Sequence, residues 1–186
     1  MRLWLMRHAP VLLPAGVCYG ASDVLADQEA TRQAARRAAE QLPGGLHVRV
    51  SGLQRAQQLA TQLAVLRPDL PAATVDTRLN EMNFGRWELQ AWNDVPQSAF
   101  DAWLADFDHH RFGGVESTHM LLQRVQQALN SRQGDELWIA HAGVIRAVQW
   151  IAGHGTTPVG QAANWPSAVV EPGGVLVLKI DQGETA

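Results

Sequence analysis

Residues 136–153 read ELWIAHAGVIRAVQWIAG, and a change of rhythm within them decides the fold. Glu136 to Ala140 is a short, largely apolar run of the kind buried on both faces of a mostly parallel sheet. From Val144 the apolar positions take up helical spacing and run to a stop at Gly153. His141 therefore stands where a strand meets its loop. The N-terminus repeats this grammar: Arg2 to Met6 (RLWLM) is an apolar run that ends at Arg7-His8. A third run, Leu46 to Val50, precedes Ser51-Gly52-Leu53-Gln54. That stretch has the S-x-x-Q form of a capping box and opens a helix from Gly52 to Leu66, with Arg55 in its first turn.

Between these segments the spacing predicts an Ala-rich helix over Gln28 to Leu42, stopped by Pro43-Gly44-Gly45, and helices over Gln97 to Phe107 and Ser117 to Asn130. Val175 to Ile180 reads as a last strand. Strands alternating with helices predict an α/β fold, an α/β/α sandwich of three layers around a largely parallel central sheet. No repeat or linker divides the chain, so residues 1–186 are expected to form a single domain. In such sheets ligands bind at the carboxyl ends of strands, where Arg7, His8 and His141 fall, with Arg55 close by.

The chain has 186 residues, 46% of them hydrophobic and 18% charged, enough for one domain with a sizeable core. A net charge of −3 with no basic block longer than Arg36-Arg37 argues against a nucleic-acid partner. Lys179 is the sole lysine, so a P-loop lysine is excluded and a Schiff-base enzyme disfavoured. Cys18 is the sole cysteine, which excludes an internal disulfide and a cysteine metal cluster. MRLWLMRHAP is too soon interrupted by Arg7 and His8 to be a signal peptide, and no apolar run is long enough to span a membrane. The expected compartment is the cytoplasm, with no membrane partner.

Two histidines and two arginines at strand ends suit a phosphoryl group. Arginine offers planar paired donors to phosphate oxygens, neutral imidazole is a nucleophile, and the amides opening the Arg55 helix add positive potential. Against this stands the plainer reading of each histidine as a packed or solvated residue. The pairing of His8 with Arg7, a charge ending an apolar strand, favours function.

Five blocks then resemble, in order, the signatures of the histidine phosphatase (phosphoglycerate mutase-like) superfamily: LMRHAP (Leu5 to Pro10), SGLQRAQQLA (Ser51 to Ala60), LNEMNFGRWE (Leu79 to Glu88), GGVES (Gly113 to Ser117) and IAHAGVIRA (Ile139 to Ala147). Within it, CYGASD (Cys18 to Asp23) with EMNFGRWE is most similar to the α-ribazole phosphatases of cobalamin synthesis. The resemblance implies that His8 is the phosphorylated nucleophile and that Arg7, Arg55 and His141 clamp the phosphoryl oxygens. It also implies that Glu81 is the general acid and base. A clamp of fixed cations stabilises the charge on the transferring group, so no metal or other cofactor is expected.

Two departures from the family pattern are visible. Ala9 replaces the usual glycine after the nucleophile, and Val11 to Val17 lacks an asparagine that many members place near phosphate. That polar contact is either missing or supplied by Tyr19, Gly20 or Ser22, which with Ala142 are the candidate substrate contacts.

Other features weigh less. His109, His110 and His119 lack the spacing of a metal site. Gly153 to Gly160 lacks a dinucleotide-loop pattern, and no G-x-S-x-G elbow exists. Trp87, Trp92 and Trp103 read as core or rim packing more readily than as a stacking platform. Glu88 and Glu116 read as turn or helix-start charges more readily than as a second acid. The expected activity is hydrolysis of a small phosphomonoester, with α-ribazole 5'-phosphate as a candidate substrate. The alternatives are a mutase, which needs lid insertions for which this chain has little length, and a non-catalytic phospholigand module.

Overall fold

The computed structural model describes residues 1–168 and 170–180. Five strands form one sheet in the order β3-β2-β4-β1-β5. They are β1 (Arg2–Arg7), β2 (His47–Val50), β3 (Thr74–Val75), β4 (Glu136–Ala140) and β5 (Val175–Lys179). β1 to β4 run parallel and β5 pairs antiparallel with β1, Met6 opposite Val175. β4 and β1 occupy the interior, and all five residues of β4 are buried, as the apolar run predicts.

Side chains alternate between the two faces. Leu3 and Leu5 of β1, with Trp138 and Ala140 of β4, pack against α4 (Thr118–Asn130) and α5 (Ala142–His154). Trp4 and Met6, with Leu137 and Ile139, pack on the opposite face against α1 (Gln28–Gln41) and α2 (Gln54–Leu66). These are the two outer layers of the expected sandwich. Small residues (Ala34, Ala35 and Ala38 on α1, Ala56 and Ala60 on α2) are buried in the core that α1 and α2 share, and they let the two helices lie close together. A further helix, α3 (Gln97–Ala105), buries no residue completely and ends before the expected Phe107. Among the described residues, no helix is long and apolar enough to cross a membrane.

Two further helix boundaries differ from the expected ones in a way that bears on the fold. The capping box at Ser51 does not form: α2 starts at Gln54, whose backbone N–H donates to Asp23 Oδ1 at 2.7 Å, while Ser51 faces the sheet's carboxyl edge instead. A cap from another segment of chain has displaced the local one. α5 runs through Gly153 and stops at Gly155, whose positive φ of 60° is open to glycine without strain. Strand β3 is too short and exposed to show in the sequence pattern.

Candidate active site

Parallel pairing sets the site. Arg7 lies opposite Ala140 in the β1–β4 ladder, so His8 and His141 leave neighbouring strand ends side by side, with ring centroids 5.1 Å apart. They border a cleft of about 130 Å³ lined by Arg7, His8, Val17, Tyr19, Gly20, Glu81, Phe84, Trp92 and Ala142. Arg55 and His141 lie behind it, both 0% exposed.

His8 Nδ1 is 2.7 Å from the Ala9 carbonyl oxygen, which can only accept, so the proton sits on Nδ1 and the lone pair on Nε2. Burial above all, then the positive charge of Arg55 and, to a lesser degree, that of Arg7, push the His8 pKa down to about 3, against an opposing pull from the Ala9 carbonyl that outweighs Arg7 alone. His8 is thus a neutral imidazole at ordinary pH. His141 is held well below its usual value by burial and then by Arg55, His8, Arg124 and Arg7.

Arg55 reaches its position from the first turn of α2. Its Nη1 donates to Ser22 O at 2.7 Å and its Nη2 to Gly20 O at 2.6 Å, tying the Cys18–Asp23 loop to the helix. Arg7 Nη1 donates to Val170 O at 2.9 Å. Among the described residues, three buried polar atoms of this group have no partner: Arg7 Nε, Arg55 Nε and His141 Nδ1. Buried polar atoms are rarely left unpaired, and unpaired donors on two guanidinium groups near His8 suit an anion.

Glu81 lines the cleft at the amino end of α5. Its Oε2 accepts from the Gly143 N–H and its Oε1 from the Met82 N–H, both at 2.9 Å. The segment carrying it is braced by Arg124, which donates to Arg78 O at 2.7 Å, to Asn80 O at 2.6 Å and to Glu116 Oε1 at 2.7 Å. Glu116 in turn accepts from Asn83 N at 2.9 Å. Glu88 accepts from the backbone N–H groups of Ala21, Ser22 and Phe84 and from the Ser22 hydroxyl, at 2.5 to 3.1 Å. Both of these carboxylates hold loops.

Of the candidate substrate contacts, Tyr19, Gly20 and Ala142 line the cleft. Ser22 is not among the lining residues, and its hydroxyl is taken by Glu88. Gly20 is required by close approach, since a methyl group there would strike the Met82 carbonyl oxygen. Among Trp87, Trp92 and Trp103, Trp92 borders the cleft with Phe84, while Trp103 stacks on buried Phe112 at 4.5 Å and Trp87 packs near the same ring at 6.1 Å. His109 and His119 rings lie 5.0 Å apart, and no group of three or more metal-ligating side chains is assembled among the described residues. A larger groove of about 690 Å³ runs along the β2–β3 edge. Its charges are matched to one another, Arg49 with Glu136 at 3.0 Å and Arg78 with Asp76 at 2.7 Å, and none of the candidate residues lines it.

The family model of the histidine phosphatase superfamily (branch 1) matches residues 3–186. The chain belongs to that superfamily. This histidine phosphatase superfamily member is similar in structure to TTHB049 from Thermus thermophilus, with 26% identity, a TM-score of 0.76, and coverage of 96% of this chain and 93% of that one. It is also similar to a phosphoglycerate mutase from the same organism, at 27% identity and a TM-score of 0.75, covering 96% and 92%. The mycobacterial hydrolase 2 shares the fold at 23% identity and a TM-score of 0.77, covering 95% and 80%. No protein of curated function is significantly similar to the chain in sequence.

The fold brings Arg7, His8 and Glu81 to the lining of one cleft, with Arg55 and His141 buried behind it. Arg124, which braces the segment carrying Glu81, and Asp23, which caps α2, were not legible in the sequence, because each acts on a segment far away in the chain. Gly143 could have been found: a glycine in the second position of a helix, directly after an expected site residue and its neighbour, signals that something comes close to the backbone there.

Proposed function

We propose that this superfamily member is a phosphomonoesterase that works through a phosphohistidine on His8. The observation that carries the reading is the set of unpartnered buried atoms, Arg7 Nε, Arg55 Nε and His141 Nδ1, gathered around a histidine whose Nε2 lone pair is free. A phosphoryl group would accept from the two arginine N–H groups, and from His141 Nδ1 once that atom carries a proton. His8 Nε2 attacks phosphorus as the ester P–O bond breaks, and the leaving oxygen takes the proton of Glu81. Glu81, now a carboxylate, removes a proton from water. The hydroxide oxygen attacks phosphorus, the P–N bond breaks, and inorganic phosphate leaves His8 neutral. Arg7, Arg55 and His141 hold the equatorial oxygens throughout.

The apolar wall of the cleft favours hydrolysis of an uncharged leaving group. Val17, Phe84 and Trp92 line it. A phosphoglycerate carries a carboxylate beside its phosphate, and that second charge finds no basic side chain on this wall. A ribose bearing a flat heteroaromatic base, as in α-ribazole 5'-phosphate, suits it better.

Brief exposure to labelled substrate followed by a rapid quench should trap an adduct stable to alkali and labile to acid, the behaviour of a phosphoramidate. His8→Ala should abolish label and turnover together. Turnover retained by that variant overturns the mechanism, and transfer of label to a second alcohol position in place of water makes the protein a mutase.

A further inference from the structure

His141 is held by a partner that the proposed reaction does not use. Its Nε2 lies 2.7 Å from the hydroxyl of Ser51, which is itself fully buried. The direction of that bond follows from the next one. Asn80 Oδ1 accepts the Gly52 backbone N–H at 2.7 Å, which identifies it as the amide oxygen, and Ser51 Oγ sits 2.9 Å from the same atom. Two oxygens at that separation need a hydrogen between them, and Ser51 has the sole one to offer. The Ser51 oxygen is left with lone pairs, one facing the Leu53 N–H at 3.2 Å and the other facing His141. His141 Nε2 therefore carries the proton, and Nδ1, buried and without a partner among the described residues, carries the lone pair.

The two site histidines are thus held in opposite tautomers, His8 protonated on Nδ1 and His141 on Nε2. A bare lone pair on His141 Nδ1 would repel a phosphoryl oxygen. It becomes a donor when it gains a proton. We propose that Ser51, aligned by Asn80, is a positioning residue that holds His141 as the Nε2–H tautomer, so that the site takes up a phosphoryl group together with one proton, which comes to rest on His141 Nδ1. With a monoanionic ester the proton is the ester's own, moving from phosphate oxygen to imidazole. With a dianion it comes from solvent. This deepens the phosphoryl-transfer reading and rests on it.

The groups around His141 agree. Arg55 from α2, Arg7 and His8 at the end of β1, and Arg124 from α4 all oppose a charge on the empty site, and Glu81 is tied to Gly143 two residues away. Two negative charges arriving with the phosphoryl group reverse that balance.

The test is nitrogen-detected NMR of histidine tautomers in the whole protein, with His141→Gln used to assign the ring. In the free enzyme at neutral pH His141 should show the Nε2–H pattern and His8 the Nδ1–H pattern. Saturation with inorganic phosphate should turn His141 alone into a doubly protonated ring. Ser51→Ala should give His141 a mixture of tautomers and lower kcat by about tenfold or more, with a changed pH profile. Ser51→Thr, which keeps the hydroxyl, should restore both. An Nδ1–H pattern in the free wild type, or an unchanged tautomer and pH profile in Ser51→Ala, overturns the proposal. Because the tautomer is read without turnover, failure of the phosphatase reading appears separately, as loss of phosphate binding or of hydrolysis with the tautomer intact.

Discussion

The backbone N–H of Gly143 donates to Glu81 Oε2 at 2.9 Å, and a methyl group at position 143 would strike the other oxygen of the same carboxylate. The first turn of a helix thus both holds the carboxylate and leaves room for it. Gly143→Ala should therefore fold with stability within about 1 kcal/mol of wild type, since alanine suits a helix and the obstructing atom ends a flexible side chain. It should slow hydrolysis of an alkyl phosphate at least tenfold by displacing the acid. Chemical denaturation beside steady-state rates checks it; an unchanged rate would show that Glu81 has no role tied to its position.

Glu81→Gln and Glu88→Ala should separate a proton donor from a brace. Glu81→Gln is expected to slow alkyl phosphates by roughly a hundredfold while largely sparing the burst with p-nitrophenyl phosphate, whose leaving group departs without a proton. Glu88→Ala releases the N–H groups of Ala21, Ser22 and Phe84, so it should cost about 2 kcal/mol of stability and slow alkyl and aryl substrates alike. A substrate-selective loss at Glu88 would make it the acid.

Arg7→Ala and Arg55→Ala should each lower kcat on the order of a hundredfold by removing a fixed donor to developing charge. Arg55→Ala should also lower the melting temperature, because its guanidinium anchors the backbone of Ser22 and Gly20. A melting temperature for Arg55→Ala equal to that of wild type would show that the loop does not depend on Arg55.

Stability should fall as pH drops below about 6.5. His8 titrates near 3 when folded, against 6.5 when unfolded, so between those values the unfolded chain binds the extra proton and stability rises with pH. The full contribution is present above pH 6.5. Its loss by pH 3 is on the order of 5 kcal/mol, since each pKa unit is worth about 1.4 kcal/mol. His141 acts in the same direction. Urea titrations from pH 7 to pH 4 should show this slope, and His8→Asn should make it shallower.

Trp92→Ala should lower kcat/KM for an aryl or nucleotide-like phosphomonoester by about fivefold to tenfold, the worth of one aromatic contact, and leave a small alkyl phosphate unchanged. Equal losses on both would assign Trp92 to packing around Phe84, 5.6 Å away.

The sequence by itself determined the apolar strands β1 and β4, the helices that follow them, and hence the strand ends where Arg7, His8 and His141 lie. These signals are local: a run of buried residues and a switch of periodicity are written in consecutive positions. The resemblance of five blocks added Glu81, which no spacing rule could have singled out. What only the tertiary structure decided was which distant groups meet. Ser51, read as a helix cap, is instead the partner of His141, because Asp23 from a separate loop caps α2 and the β2–β4 pairing carries Ser51 to the next strand end. Glu88 and Glu116, indistinguishable in sequence from a second acid, are saturated by loop amides and by Arg124. Hydrogen-bond partners far apart in the chain leave no periodic trace, so the protonation site of His141 is set by the sheet that brings Ser51 to it, whereas His8 takes its own from the neighbouring Ala9 carbonyl.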